Sequence, residues 1–173
     1  MALAVGRRRD GQGAKRGDQI GPNPTDRGKN GTKRSVLSDG KGGPLAVVVA
    51  GANVHDTMLL QDTLEAVFVE PPCPIHELIK NLCLDKGFDN PTGHAAAEVF
   101  GYVAHIRRIG EERRAQRRQR DKPRRWVVER LIAGLNACRS ILVRWAKRSC
   151  NYLGLIKLQC ILLWYRRLHQ FGF

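Results

Sequence analysis

The sequence has no long hydrophobic run, no CxxC pair and few aromatic residues, and each absence removes a class of function. Its longest apolar stretch, residues 152–165, holds 14 residues and is interrupted by Lys157 and Gln159. A membrane-spanning helix needs about 20 apolar residues, so this stretch reads as a buried helix and no membrane partner is expected. The N-terminus, MALAVGRRRDGQGAKRG, puts its charges after a short apolar stub, the reverse of a secretory signal. The five cysteines are odd in number and lack paired spacing, which excludes a disulfide framework and a zinc site and suits a reducing cytoplasm. Aromatics are 6% of the chain, and no aromatic-rich strand offers a platform for stacking RNA bases, which counts against a basic RNA-binding protein.

Acid is also scarce where base is dense. The 173 residues carry a net charge of +14. Residues 44–100 are net acidic, with 8 Asp and Glu against 2 Lys and Arg. Residues 101–173 hold 18 Lys and Arg against 4 acids, an excess equal to that of the whole chain. Charge so segregated calls for a polyanionic partner, nucleic acid before membrane. The length suits one domain with a tail.

Residues 6–34 are rich in Gly, Pro and Arg or Lys and show no hydrophobic period, so they read as loop. Residues 34–37 and 45–49 flank a turn marked by Asp39-Gly40 and Gly42-Gly43, a β-hairpin signature. The second arm is nearly all apolar, as in a strand covered on both faces. A helical spacing over 56–67 follows, opened by His55-Asp56 and stopped by Pro71, Pro72 and Pro74. Residues 82–84 suggest a buried strand, 92–100 a helix and 102–106 a strand. The segment 107–130 holds 11 Arg and Lys against 4 acids, and its first part reads as a solvated insert. From Trp126 a helical stripe runs through Val128, Leu131, Ile132, Leu135, Cys138, Leu142 and Trp145, and a second helix spans about 150–168. The order β-β-α-β-α-β with two closing helices is an α/β pattern.

Two carboxylates stand out. Asp85 ends an apolar strand before Lys86-Gly87, the edge at which α/β sheets hold ligands. Glu129 lies at the margin of the apolar stripe of its helix. Each alone reads as structural: a turn aspartate, and a surface partner of Arg125 one turn earlier. Together, one ending a strand and one on a later helix, they can hold Mg²⁺, whose remaining ligands a phosphate supplies. Two such ions activate a nucleophile and stabilise the leaving oxygen in phosphodiester cleavage. His76, His94, His105 and His169 show no ligand spacing. Gly11, Gly13 and Gly17 follow no strand, so no phosphate loop is expected.

At this point the chain resembles the DDE transposases of bacterial insertion sequences, which have an RNase H-like core. The matching segments run in order: GPNPTDRGKNGTKRSVLSDG (21–40), PLAVVVAGANVHD (44–56), LCLDKGFDNP (82–91), HIRRIGEE (105–112), RRWVVERLIAGLN (124–136) and LVRWAKRSCNYLGL (142–155). The resemblance maps the family's second acid to Asp85 and its glutamate to Glu129, 44 residues apart. The first acid has one candidate, Asp10, which follows three arginines instead of an apolar strand. The tryptophan that the family carries shortly after its glutamate is replaced around Ala133-Gly134.

The resemblance implies an RNase H-like mixed sheet flanked by helices. Its first strand is expected to be missing or altered, in a truncated or degenerate copy. It implies a flexible segment over 1–32 and a catalytic-type domain over 33–173 with a basic insert at 107–125. It implies a two-metal site for Mg²⁺ or Mn²⁺, and DNA partners in the element's terminal inverted repeats and the target. Arg107, Arg108, Arg113, Arg114, Arg124, Arg125 and Arg130 are the expected phosphate contacts. A homodimer and a cytoplasmic, nucleoid-associated location fit the same reading. So do two functional outcomes: metal-dependent strand cleavage and transfer, or a catalytically dead remnant that holds DNA by charge.

Overall fold

The computed structural model describes residues 2–10, 17–24, 26–68, 80–106 and 125–170, with backbone alone for 2–10 and Arg125. Its frame is a six-stranded mixed sheet. The strands are β1 (Ala2–Asp10), β2 (Gly21–Pro22), β3 (Asn30–Ser38), β4 (Pro44–Gly51), β5 (Lys80–Leu84) and β6 (Tyr102–Ile106). The main path runs β2-β3-β1-β5-β6, and β4 pairs with β3 alongside β2. β3 is antiparallel to β1, β2 and β4, whereas β1, β5 and β6 run parallel.

The hairpin forms where the sequence predicts it. Asp39 Oδ1 accepts hydrogen bonds from the backbone N–H groups of Lys41 (2.9 Å) and Gly43 (2.6 Å), and Gly42 takes φ +87°. This is the use that turns make of Asp and Gly. β4 is covered on both faces, as its apolar run requires: Leu45 and Ala46 join one core cluster and Val47 joins the other.

The five α-helices among the described residues are α1 (Asp56–Glu65), α2 (Pro91–Val99), α3 (Arg125–Asn136), α4 (Arg139–Leu142) and α5 (Ser149–Gln170). His55 is the N-cap of α1, with Asp56 in its first turn. Asn90 caps α2 through Gly93 N–H at 2.9 Å, with Pro91 at the first helical position, where its missing N–H costs nothing. One core layer packs Leu60 and Leu64 of α1, Ala97 of α2 and Phe88 against Leu37, Leu82 and Leu84 of the sheet. The second gathers Val128, Leu131 and Leu135 of α3, Ile141 of α4 and Tyr152, Ile156 and Cys160 of α5 over Val36 and Val47. Helices thus cover both faces of the sheet, the layering expected of an α/β chain.

Three expectations are corrected. The first strand is not missing: β1 is present and lies between β3 and β5. Residues 6–34 are accordingly not all loop, since β1, β2 and the start of β3 fall within them. The arginine run at 7–9 hid β1, because strands are normally recognised by alternating or continuous apolar residues. The stripe that begins at Trp126 is also not one helix. It ends at Asn136, restarts for one turn at Arg139–Leu142, and Val143 is extended at φ −119°, ψ 113°. The break lets Arg144 turn into the protein, where its hydrogen bonds override the helical period.

Candidate nucleic-acid interface and acidic site

Asp85 directly follows β5, in extended backbone at φ −73°, ψ 158°. Its Oδ1 accepts the Lys86 N–H at 2.8 Å and caps a 3₁₀ turn over Lys86–Phe88. The carboxylate is exposed. The turn role foreseen for an aspartate here is therefore realised, and it leaves the other oxygen clear of this bond.

Glu129 is exposed on α3, which packs across β1 and β3 with Val127, Val128 and Leu131 buried. The helix orients itself by this apolar face, and Glu129 falls outside it. Asp85 and Glu129 thus belong to the two elements that flank β1, the neighbouring strand and the overlying helix. Asp10 closes β1 and pairs in register with Thr32.

Of the expected phosphate-contacting arginines, Arg107, Arg108, Arg113, Arg114 and Arg124 lie outside the described residues, and Arg125 is described by its backbone as the first residue of α3. Arg130 is exposed one residue after Glu129, with its guanidinium 4.5 Å from the centroid of the half-exposed Trp126 ring. Such a stacked arginine keeps its charge available to solvent.

Sequence reasoning missed a set of buried cations. Arg144 is 1% exposed. Its Nε donates to Ala146 O (3.0 Å), Nη1 to Gln19 O (3.1 Å) and Thr32 Oγ1 (2.7 Å), and Nη2 to Asp18 O (2.7 Å) and Lys147 O (3.1 Å). Five donors meet five acceptors, and the Tyr152 ring lies 5.3 Å away. Lys33, 2% exposed, pairs with Asp56 Oδ1 at 2.8 Å and donates to Val54 O at 2.5 Å. Buried Arg34 donates to Asn136 Oδ1 at 2.9 Å. These contacts join segments far apart in sequence, and no local pattern signals them.

Burial pushes the Cys160 thiol up to about 11, which keeps it protonated and inert. Among the described residues no group of three His, Cys, Asp or Glu side chains could hold a metal ion. Asp85 and Glu129 are carboxylates of the right class for Mg²⁺, but two do not make the ligand set of a two-metal site. The described residues therefore do not fit a complete centre.

The Transposase DDE domain family matches residues 6–164. The chain belongs to the DDE transposases of bacterial insertion sequences. A putative transposase for insertion sequence element IS402 from Burkholderia cepacia is 31% identical over 154 residues, covering 88% of this chain and 71% of the relative. Among solved structures, a piggyBac transposase synaptic complex with hairpin DNA is similar at 16% identity with a TM-score of 0.37. That likeness covers 70% of this transposase chain but 26% of the other, so the chain spans about a quarter of that protein. DDE transposases generally use divalent metal ions. No helix among the described residues is long and apolar enough to cross a membrane.

Proposed function

We propose that this transposase chain acts on DNA in transposition through an RNase H-like core, holding the element's terminal inverted repeats and target DNA by charge. In this reading it keeps Asp85 and Glu129 as two acids of the family's cleavage site without completing that site, so it binds DNA and does not cut it. One observation carries the reading. β1 is flanked on one side by the strand that Asp85 directly follows and overlaid by the helix that bears Glu129. The antiparallel set β4-β3-β1 joined to parallel β5 and β6, with helices on both faces, supports the RNase H-like assignment.

The chain's own residues would do three things. The arginines at 107, 108, 113, 114, 124, 125 and 130 neutralise phosphates along the duplex. Asp85 and Glu129 present carboxylates beside β1, where a bound Mg²⁺ or Mn²⁺ would supply Lewis acidity in an intact relative. The +14 charge draws DNA to the protein over long range. The domain, on this reading, includes β1, and both DNA ends can be held by a homodimer in the nucleoid.

Electrophoretic mobility shift with labelled inverted-repeat DNA tests the reading. Binding should weaken steeply with salt, the logarithm of affinity falling by about 0.9 per phosphate neutralised. It should exceed binding to an RNA of the same length, and Asp85→Asn with Glu129→Gln should leave it unchanged. Equal affinity for RNA, or Mg²⁺-dependent nicking of the DNA by the unmodified chain, would overturn it.

A further inference from the structure

The outer edge of β4 is open, and hydrogen-bond parity decides which of its groups face outward. Ala52 N–H donates to Gly31 O at 3.1 Å, and the register continues from Thr32 with Gly51 to Leu37 with Ala46. Antiparallel pairs alternate between those that exchange hydrogen bonds and those that do not. Ala50, Val48 and Ala46 therefore bond to β3, and Gly51, Val49 and Val47 turn their N–H and C=O groups away from it. Two outward bonds agree with this parity: Gly51 O accepts the Val54 N–H and Leu45 O the Phe68 N–H, each at 3.0 Å. Between those closed ends, Val47 and Val49 offer two donors and two acceptors, and no strand among the described residues pairs with them.

The same residues border a cavity of about 320 Å³ whose lining includes Val47, Val49, Ala66, Cys150, Leu153 and Lys157. Val47 and Val49 share the sheet face that α5 covers. α5 runs antiparallel to β4. Its first residue, Ser149, bonds to Asp18, next to Gln19, whose carbonyl meets Thr32 opposite Gly51. Near its other end Trp164 donates to Pro44 O at 2.8 Å. Leu153 and Lys157, one turn apart, therefore follow each other along the cavity at about 6 Å. Residues i and i+2 of an extended chain lie on one face about 6.7 Å apart, which matches that spacing. Lys157 is exposed, and among the described residues no acidic side chain lines the cavity.

We propose that the outer edge of β4 is a docking site for an extended peptide segment of a partner protein, antiparallel to β4, with an apolar side chain against Leu153 and an acidic one two residues later at Lys157. The peptide backbone pairs with the outward groups of Val47 and Val49, the main-chain recognition of strand addition, and the two side chains supply the selectivity. An acid is the complement of the one charge that the cavity presents. A second copy of this chain suits the edge less well, because β4 against β4 joins two chains of net charge +14 each. The proposal does not depend on the DNA-binding reading.

The probe is the acetylated, amidated peptide Thr-Val-Thr-Glu-Thr, added to the full chain and followed by hydrogen exchange of its valine amides. In the unbound chain the Val47 and Val49 amides should exchange about tenfold faster than that of Val48, which bonds to β3. The peptide should slow both by about tenfold, and the same peptide with lysine in place of glutamate should bind about tenfold more weakly. Lys157→Glu changes an exposed helical position and should reverse that preference. Val47 and Val49 amides as slow as Val48 in the unbound chain overturn the proposal, as does equal binding of the two peptides. Slowing that grows with protein concentration in the absence of peptide assigns the edge to a second copy and overturns it. So does slowing by inverted-repeat DNA, which would make the edge part of the DNA interface.

Discussion

Asp18 caps a helix that begins 131 residues later: its Oδ2 accepts the backbone N–H of Ser149 at 2.8 Å and the Ser149 hydroxyl at 2.7 Å. Ser149 is the first residue of α5. A carboxylate at a helix N-terminus satisfies donors that the helix cannot and meets the positive end of its dipole. Those bonds, the backbone one first, hold the Asp18 carboxyl below its usual 3.8.

The sign of the pH effect follows. A carboxyl whose pKa is lowered on folding contributes stability above its unfolded value and loses it as pH falls through the folded one. Urea denaturation should therefore show a contribution from Asp18 that is complete above pH 3.8 and fades below it. Asp18→Asn should flatten that acid limb. An unchanged slope between pH 5 and pH 2 would show that the cap contributes nothing.

Arg144 should be among the least replaceable residues. Its removal takes the guanidinium donors from four carbonyl oxygens and the Thr32 hydroxyl, of which the Gln19 carbonyl alone is shown with a second donor, the Thr32 hydroxyl at 3.1 Å. Arg144→Met should cost about 3 kcal/mol or more, since each buried unpaired group costs about 1–3 kcal/mol. Arg144→Lys keeps the charge but offers three donors in place of five, and should recover less than half of the loss. Chemical denaturation at fixed pH measures both. A loss under 1 kcal/mol for Arg144→Met would show that water replaces the guanidinium.

β1 pairs Arg8 directly opposite Arg34 and Arg9 opposite Lys33. Like charges opposed across a strand pair destabilise it, by up to about 1 kcal/mol. Arg8→Thr removes one such pairing and adds a better strand former, so the melting temperature should rise by about 1–4 °C. Scanning calorimetry would detect it, and a lower melting temperature would show that the arginine earns its place in the sheet.

Gly43 is held by shape. A Cβ there would stand 2.5 Å from Cζ2 of Trp164, whose Nε1–H donates to Pro44 O at 2.8 Å. Gly43→Ala must displace that ring and should cost about 1–3 kcal/mol, with a shift in tryptophan fluorescence. Gly154, within α5, has nothing within 4 Å of the corresponding position. Gly154→Ala should add up to about 1 kcal/mol through helix propensity. Equal effects of the two substitutions would remove the steric account.

Much of this architecture was legible residue by residue. Asp39, Gly42 and Gly43 announced the hairpin, the apolar run at 45–49 announced a strand covered on both faces, and Asp85 stood out at the end of β5. What could not be read was β1, because Arg7, Arg8 and Arg9 conceal a strand that its two neighbours hold in place. The interruption after Asn136 was hidden too, since the apolar period continues through the break. In the candidate site, Asp85 and Glu129 could be named from local pattern and family resemblance. The pairing of Asp10 with Thr32 could not, because register between strands is not written in either strand alone.

The order of elements from β3 to β6, the segregation of charge and the family were determined by the sequence by itself, because periodicity, turn residues and motif order are local properties of the chain. Only the tertiary structure decided that β1 lies between β3 and β5 and which cations are buried. Those outcomes depend on hydrogen-bonded register and on carbonyl groups gathered from distant segments, and a one-dimensional pattern carries neither.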